Sequence, residues 1–218
     1  MSMKVGGIVL CGGKSSRMGL PKAMLPFGPE VMLQRVVRLL GEVVSPIVLV
    51  VAENQTLPEF QSAVLVAHDA RPERGPLEGL AAGLAAIAPH ADAAYVTGCD
   101  VPLLQPNFVR QLIARLGESD AAVPVEGAFH HPLSAVYRTR VLSQIEALLA
   151  ANQLRPVFVF DRVETVKVPV NELQAIDPPL NTLKNLNYPA DYLAALALAG
   201  FDPPPEIADA LPRIGGAG

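Results

Sequence analysis

Tryptophan is absent from this 218-residue chain, and cysteine occurs only at Cys11 and Cys99. Two cysteines are too few for a disulfide framework or a cysteine-only zinc site. They read as reduced thiols near strand ends, which suits the cytoplasm. Long apolar runs are missing as well. None reaches the roughly 20 residues that a membrane span needs, although half of the chain is hydrophobic. No basic-then-apolar leader precedes the first apolar segment, so a cytoplasmic protein with no membrane partner is expected. Nor is there a surplus of positive charge. The formal net charge is −4, against a general nucleic-acid binder, which would usually be basic. No internal repeat is present. What remains is a chain of one-domain length with enough apolar residues for a sizeable core.

Apolar, β-branched runs alternate with helical patterns. Val5–Leu10, Ile47–Ala52, Ala63–Ala67, Ala93–Cys99, Ala121–Val125, Leu133–Tyr137 and Val163–Val170 read as strands. A run opening at Pro29 and Glu30 carries Val31, Leu33, Val36, Val37, Leu39 and Leu40, which include helical spacings. Leu77–Ile87, Pro106–Leu116, Arg140–Ala150 and Pro189–Ala199 also read as helices. Such alternation predicts an α/β fold with a mostly parallel sheet covered on both faces. Residues 1–200 are expected to form a single domain. Residues 201–218, with three consecutive prolines and a glycine-rich end, are expected to be a peripheral tail.

One stretch organises the chain. Leu10-Cys11-Gly12-Gly13-Lys14-Ser15-Ser16-Arg17-Met18-Gly19-Leu20-Pro21-Lys22 lies between the first strand and the first helix, where open α/β sheets bind ligands. Gly12 and Gly13 permit close backbone approach. Lys14, Arg17 and Lys22 add positive charge with no acidic residue among them. Bare N–H groups beside cations suit a polyphosphate. The P-loop pattern fails, because its first glycine would fall on Ile8. The dinucleotide pattern G-x-G-x-x-G has no match either.

Further segments fall on the same expected rim. Asp100, in Thr97-Gly98-Cys99-Asp100-Val101-Pro102, ends a strand; a carboxylate beside a polyphosphate site is expected to hold Mg²⁺, a reading preferred beside the glycine-rich loop to that of a turn-capping aspartate. Asp69 also ends a strand. Gly75 and Pro76 start a helix whose exposed N–H groups could read a base edge, and Gly79 leaves room for the base face. His130 and His131 are adjacent, so on an extended segment they point to opposite faces and do not share a metal. Asn185 and Asn187 alternate and could face one cleft. Arg155 follows a helix and reads as a surface arginine.

The loop pattern L-x-G-G-x-S-x-R-M-G-x-x-K resembles the signature of the molybdenum cofactor guanylyltransferases. These are nucleotidyltransferases with a glycosyltransferase-A-like fold, a three-layer, Rossmann-like α/β architecture. The resemblance runs roughly from Val5 to Tyr192. It implies transfer of GMP from GTP to the phosphate of the molybdenum–molybdopterin cofactor, releasing pyrophosphate, with Mg²⁺ on Asp100. It implies catalytic roles for Arg17, Lys22 and Asp100. Nucleotide contacts fall to Leu10, Cys11, Gly12, Gly13, Lys22, Asp69, Gly75, Pro76, Leu77, Gly79 and Asp100. Acceptor contacts fall to Arg155, Asn185, Asn187 and His131. Transient contact with molybdenum cofactor biosynthesis or insertion proteins is implied too, and no nucleic acid. The resemblance also implies a short helix at Val157–Phe160, whose β-branched and aromatic content would otherwise read as a strand.

Several positions depart from the family pattern. Pro21 stands where many guanylyltransferases have Asp, and x-P-K is more usual in the sister cytidylyltransferases; these, however, typically read L-A-A-G where this chain has Leu10-Cys11-Gly12-Gly13. The segment Gly75-Pro76-Leu77-Glu78-Gly79 is similar to the guanine-recognising one and favours GTP. Tyr188 replaces a usual Thr, and Val51 replaces an asparagine that touches nucleotide in some members. The alternatives are a CTP-dependent or sugar-phosphate nucleotidyltransferase and a regulator that binds nucleotide without turnover.

Overall fold

The computed structural model describes residues 3–12, 18–69 and 74–211. The chain enters the centre of the fold at β1 (Val5–Leu10). It then forms a hairpin, β2 (Pro26–Phe27) and β3 (Glu30–Val31), and passes to α1 (Met32–Gly41), β4 (Ile47–Val51) and β5 (Leu65–His68). Next come α2 (Pro76–Ile87), β6 (Ala93–Gly98), α3 (Pro106–Leu116), β7 (Ala121–Glu126), β8 (Phe129–His130) and β9 (Ala135–Arg138). The last part holds α4 (Leu142–Ala150), β10 (Thr165–Pro169), α5 (Val170–Leu173), α6 (Pro189–Leu198) and α7 (Pro205–Ala210).

The main sheet has the order β10-β7-β9-β6-β1-β4-β5, with β8 beside β7. Neighbours β1–β4, β1–β6, β4–β5 and β7–β10 are parallel. Only β9 and the short β8 run antiparallel to their partners. Since β6 and β7 both oppose β9, they run the same way. The carboxyl ends of β1, β4, β5, β6, β7 and β10 therefore share one rim, and that rim carries the site.

Helices cover both faces, which explains why every residue of β4 is buried and apolar. One face packs Leu33, Val36 and Leu40 of α1 and Phe108 and Leu112 of α3. The other packs Leu80, Leu84 and Ile87 of α2 and Ile145 and Leu148 of α4. Small residues set the closeness of these layers. An added Cβ at Gly83 would lie 2.5 Å from Ile8 Cγ2, and one at Gly7 would lie 2.7 Å from Leu40 Cδ2. A third cluster, with Met18, Phe27, Met32, Leu186 and Tyr192, lies under α6. The segment that follows α6 docks there: Phe201 meets Phe27 edge-on at 5.9 Å, and Leu211 is buried.

Differences from the sequence expectations are local. The first helix starts at Met32 and not at Pro29 or Glu30. Glu30 and Val31 pair with the preceding strand, and the Gln34 side chain accepts the Val31 N–H at 2.8 Å, fixing an extended entry. The edge strand covers Leu65–His68 and not Ala63–Ala67, and β8 and α5 are additional elements. Residues Pro156–Asp161 form a 3-10 helix. Tertiary packing overrides their strand propensity: Phe160 stacks between Tyr137, 5.9 Å away, and His130, 5.5 Å away. No helix among the described residues is long and apolar enough to cross a membrane.

Candidate functional site

Asp100 follows β6 at the rim, and Lys22 opens a single 3-10 turn, Lys22–Met24, after the glycine-rich stretch. Lys22 Nζ donates to Asp100 Oδ2 at 3.0 Å and to Asn187 Oδ1 at 2.9 Å. Asn185 Nδ2 donates to the other carboxylate oxygen, Asp100 Oδ1, at 2.8 Å. The backbone locks this group together, because Leu186 N–H donates to Asp100 O at 2.9 Å. Asp191 Oδ2 in turn accepts the N–H groups of Asn187 and Tyr188 at 3.0 and 2.8 Å. Asp191 thus supplies the cap at the start of α6 that Tyr188 does not. The asparagines expected on the acceptor side are brought into the Asp100–Lys22 group.

A second group lies across β1. The Cys11 N–H donates to Val50 O at 2.8 Å, and the Cys99 N–H donates to Leu10 O at 3.1 Å. The two thiols are buried side by side at the ends of β1 and β6. A hydrogen bond with Cys99, then burial, push the Cys11 thiol well above its ordinary value, so it stays protonated. Its side chain belongs to the core, leaving its backbone to the loop. Asp69 stands beside Gly12 and Gly79: an added Cβ would lie 3.5 Å from Oδ2 and 3.1 Å from Oδ1, respectively. Burial, then the neighbouring Glu78 charge, raise the Asp69 carboxyl above the ordinary carboxylate range. Its Oδ1 is buried and has no hydrogen-bond partner among the described residues. A ligand N–H or O–H would satisfy it. Gly79 therefore makes room first for Asp69.

The start of α2 completes this side. Gly75 has φ 81°, a conformation that favours glycine, and an added Cβ there would meet nothing within 4 Å. Gly75 and Pro76 are exposed, whereas the Leu77 side chain is fully buried. Leu77 can offer a ligand only its backbone. Two residues were not singled out from the sequence. Arg74 donates to Leu149 O at 2.8 Å and lies 3.7 Å from the buried Glu78 carboxylate, tying the turn to the end of α4. The available signal was an arginine four residues before the only acidic residue of an apolar helix.

Arg155 and His131 lie on the far side of β9. Arg155 is exposed, with its guanidinium 5.7 Å from the Phe158 ring. Burial lowers the His131 pKa, keeping the ring neutral, and its Nε2 is buried with no hydrogen-bond partner among the described residues. The two histidines diverge: His131 packs edge-on to Phe129 and His130 stacks on Phe160. Among the described residues, the hydrogen bonds of the Asp100 group run to Lys22, Asn185 and Asn187 and not to Arg155 or His131. Gly13 and Arg17 lie outside the described residues.

No group of three or more His, Cys, Asp or Glu side chains with metal-binding geometry occurs among the described residues. The donor set at Asp100 still fits magnesium. A carboxylate and an amide oxygen are hard donors, and magnesium beside a nucleotide usually takes one or two carboxylates plus phosphate oxygens.

Residues 7–166 match the model of the MobA-like NTP transferase domain. A probable molybdenum cofactor guanylyltransferase of Methanosarcina acetivorans is 34% identical over 194 residues, covering 83% of this chain and 84% of that one. One of Mycobacterium avium is 35% identical over 203 residues, covering 91% and 98%. In structure, the chain resembles molybdopterin-guanine dinucleotide biosynthesis protein A of Archaeoglobus fulgidus, with TM-score 0.74, 22% identity, and coverage of 91% and 99%. A CMP:2-keto-3-deoxy-manno-octonic acid synthetase structure with CTP shares the fold at TM-score 0.65 and 15% identity, covering 90% and 98%.

Proposed function

The chain belongs to the family of MobA-like NTP transferase domains, and from that premise we propose that it transfers GMP from GTP to the terminal phosphate of the molybdenum–molybdopterin cofactor, releasing pyrophosphate. The observation that carries the reading is the convergence of Lys22, Asp100 and Asn187 within 3.0 Å on the rim. The acceptor phosphate is already an anionic nucleophile, so no serine, cysteine or histidine triad is required. The protein's task is to align the acceptor oxygen with the α-phosphorus and to stabilise charge there.

The chain's groups divide that task. The backbone of Leu10, Cys11 and Gly12 lies against the nucleotide, and the sequence pattern assigns Gly13 to the same task. Asp69 and the open turn at Gly75 and Pro76 receive its nucleoside end. Lys22, with Arg17, meets the charge that develops on the phosphates. Asp100, with Asn187, would hold Mg²⁺, whose chemistry when bound is charge neutralisation at donor and acceptor oxygens. Asn185 orients the Asp100 carboxylate. Arg155 is free to face an anionic acceptor across the rim and can take a phosphate through two parallel N–H groups.

One position favours CTP: Pro21, which directly precedes Lys22 and fixes its turn. Calorimetric titration separates the two readings. GTP with Mg²⁺ should bind at least about tenfold more tightly than CTP, a difference of about 1.4 kcal/mol. Equal or tighter binding of CTP would overturn the guanine assignment.

A further inference from the structure

Every oxygen that a divalent ion would use at Asp100 is engaged by an N–H donor. Asn185 Nδ2 holds Asp100 Oδ1 at 2.8 Å, while Lys22 Nζ holds Asp100 Oδ2 at 3.0 Å and Asn187 Oδ1 at 2.9 Å. The Lys22 and Asp100 side chains are each only 16% exposed, so solvent screens their pairing incompletely. These oxygens are rigidly presented. Asp100 and Leu186 share a backbone hydrogen bond, and Asp191 fixes the Asn187 backbone.

We propose that the Lys22 ammonium is a resident counter-cation seated in the divalent-ion site, and that it must leave Asp100 before a metal ion can be held there. The proposal rests on the reading of Asp100 as a metal ligand and deepens it. An ammonium is a compact point charge on a flexible stem with several donors. It satisfies the same hard oxygens that magnesium seeks. The two cations repel at such short range, so they compete for the seat. A nucleotide supplies the alternative partner. Its phosphates take up the lysine, and the carboxylate becomes available to the metal. Nucleotide and metal then strengthen each other's binding, and thermodynamic linkage makes that coupling reciprocal. Lys22 thereby keeps the nucleotide-free site charge-balanced and reserves metal loading for the nucleotide complex.

The test is Mn²⁺ titration followed by electron paramagnetic resonance on nucleotide-free protein, in the wild type and in Lys22→Met, Lys22→Arg and Lys22→Met/Asp100→Asn. Lys22→Met removes the charge and keeps the stem, and should bind Mn²⁺ about tenfold more tightly than the wild type, within the usual range of coupling between ligands. Lys22→Arg keeps a cation and should bind as weakly as the wild type. The double variant should lose the gain. Lys22→Gln repeats the test should Lys22→Met fold poorly, with melting curves as the check. Equal or weaker Mn²⁺ binding by both neutral variants overturns the proposal, as does a gain that survives Asp100→Asn. No nucleotide or acceptor is present, so failure of guanylyl transfer leaves this result standing. Unchanged Mn²⁺ affinity in the neutral variants, with an active wild type, removes only the exchange.

Discussion

Gly79 and Asp69 approach so closely that a Cβ on Gly79 would stand 3.1 Å from Asp69 Oδ1. The first turn of α2 thus sets where the carboxylate can lie. Gly79→Ala should push Asp69 aside while gaining helix propensity of up to about 1 kcal/mol. Stability should change little. GTP KM should rise about tenfold, the worth of one well-made hydrogen bond. An unchanged KM with normal turnover would show that Asp69 does not depend on this contact.

Asp69 also links the site to pH. A carboxyl raised by burial and by Glu78 opposes folding when charged. Its stabilising contribution is complete below the unfolded carboxylate pKa and is lost as pH rises through the higher folded value. Asp69→Asn should therefore raise the melting temperature at pH 7, with the gain shrinking as pH falls toward the ordinary carboxylate range. Nucleotide binding should weaken at the same time. Thermal melts from about pH 3, below the ordinary aspartate value of about 3.9, up to pH 7 check this. A lower melting temperature at pH 7, or a gain independent of pH, contradicts it.

Arg74 holds the Gly75 turn, which the proposed function gives to the nucleotide, to Leu149 O and Glu78. Arg74→Ala should raise GTP KM about tenfold while changing kcat less than about threefold, the pattern for lost uniform binding. Stability should drop by about 1–3 kcal/mol. Arg74→Lys should recover only part of this, since an ammonium lacks the planar fork that reaches two acceptors. Loss of kcat at constant KM would place Arg74 in the chemistry instead.

The docking of the segment that follows α6 can be tested through Gly28. Its φ is 68°, and an added Cβ would fall 2.5 Å from the Phe201 ring. Gly28→Ala should cost about 1–3 kcal/mol through overpacking, with backbone strain added. Chemical denaturation measures it. A neutral result would mean that Phe201 does not rest on the hairpin.

The strands and the rim were legible in the sequence because fully buried parallel strands such as Ile47–Val51 are continuous apolar runs. Asp69 and Asp100 stand out as carboxylates at strand ends. What binds them together was not legible. Lys22, Asp100 and Asn187 are far apart in sequence, and only the folded chain brings Asp100 and Asn187 to the one Lys22 ammonium. Arg74 was legible only in its spacing to Glu78; its other partner is a backbone carbonyl at the end of α4, which no residue pattern reports. The direction of β9 was hidden too, since short buried strands look alike whichever way they run.

The most direct test of the account is pyrophosphate release by the wild-type protein with Mg²⁺, supplying GTP, CTP, ATP or UTP in turn, with and without molybdenum–molybdopterin. Stoichiometric release with GTP is expected only when the acceptor is present, together with the guanine dinucleotide product. Equal or faster release with CTP, or release from GTP that does not depend on the acceptor, would contradict it.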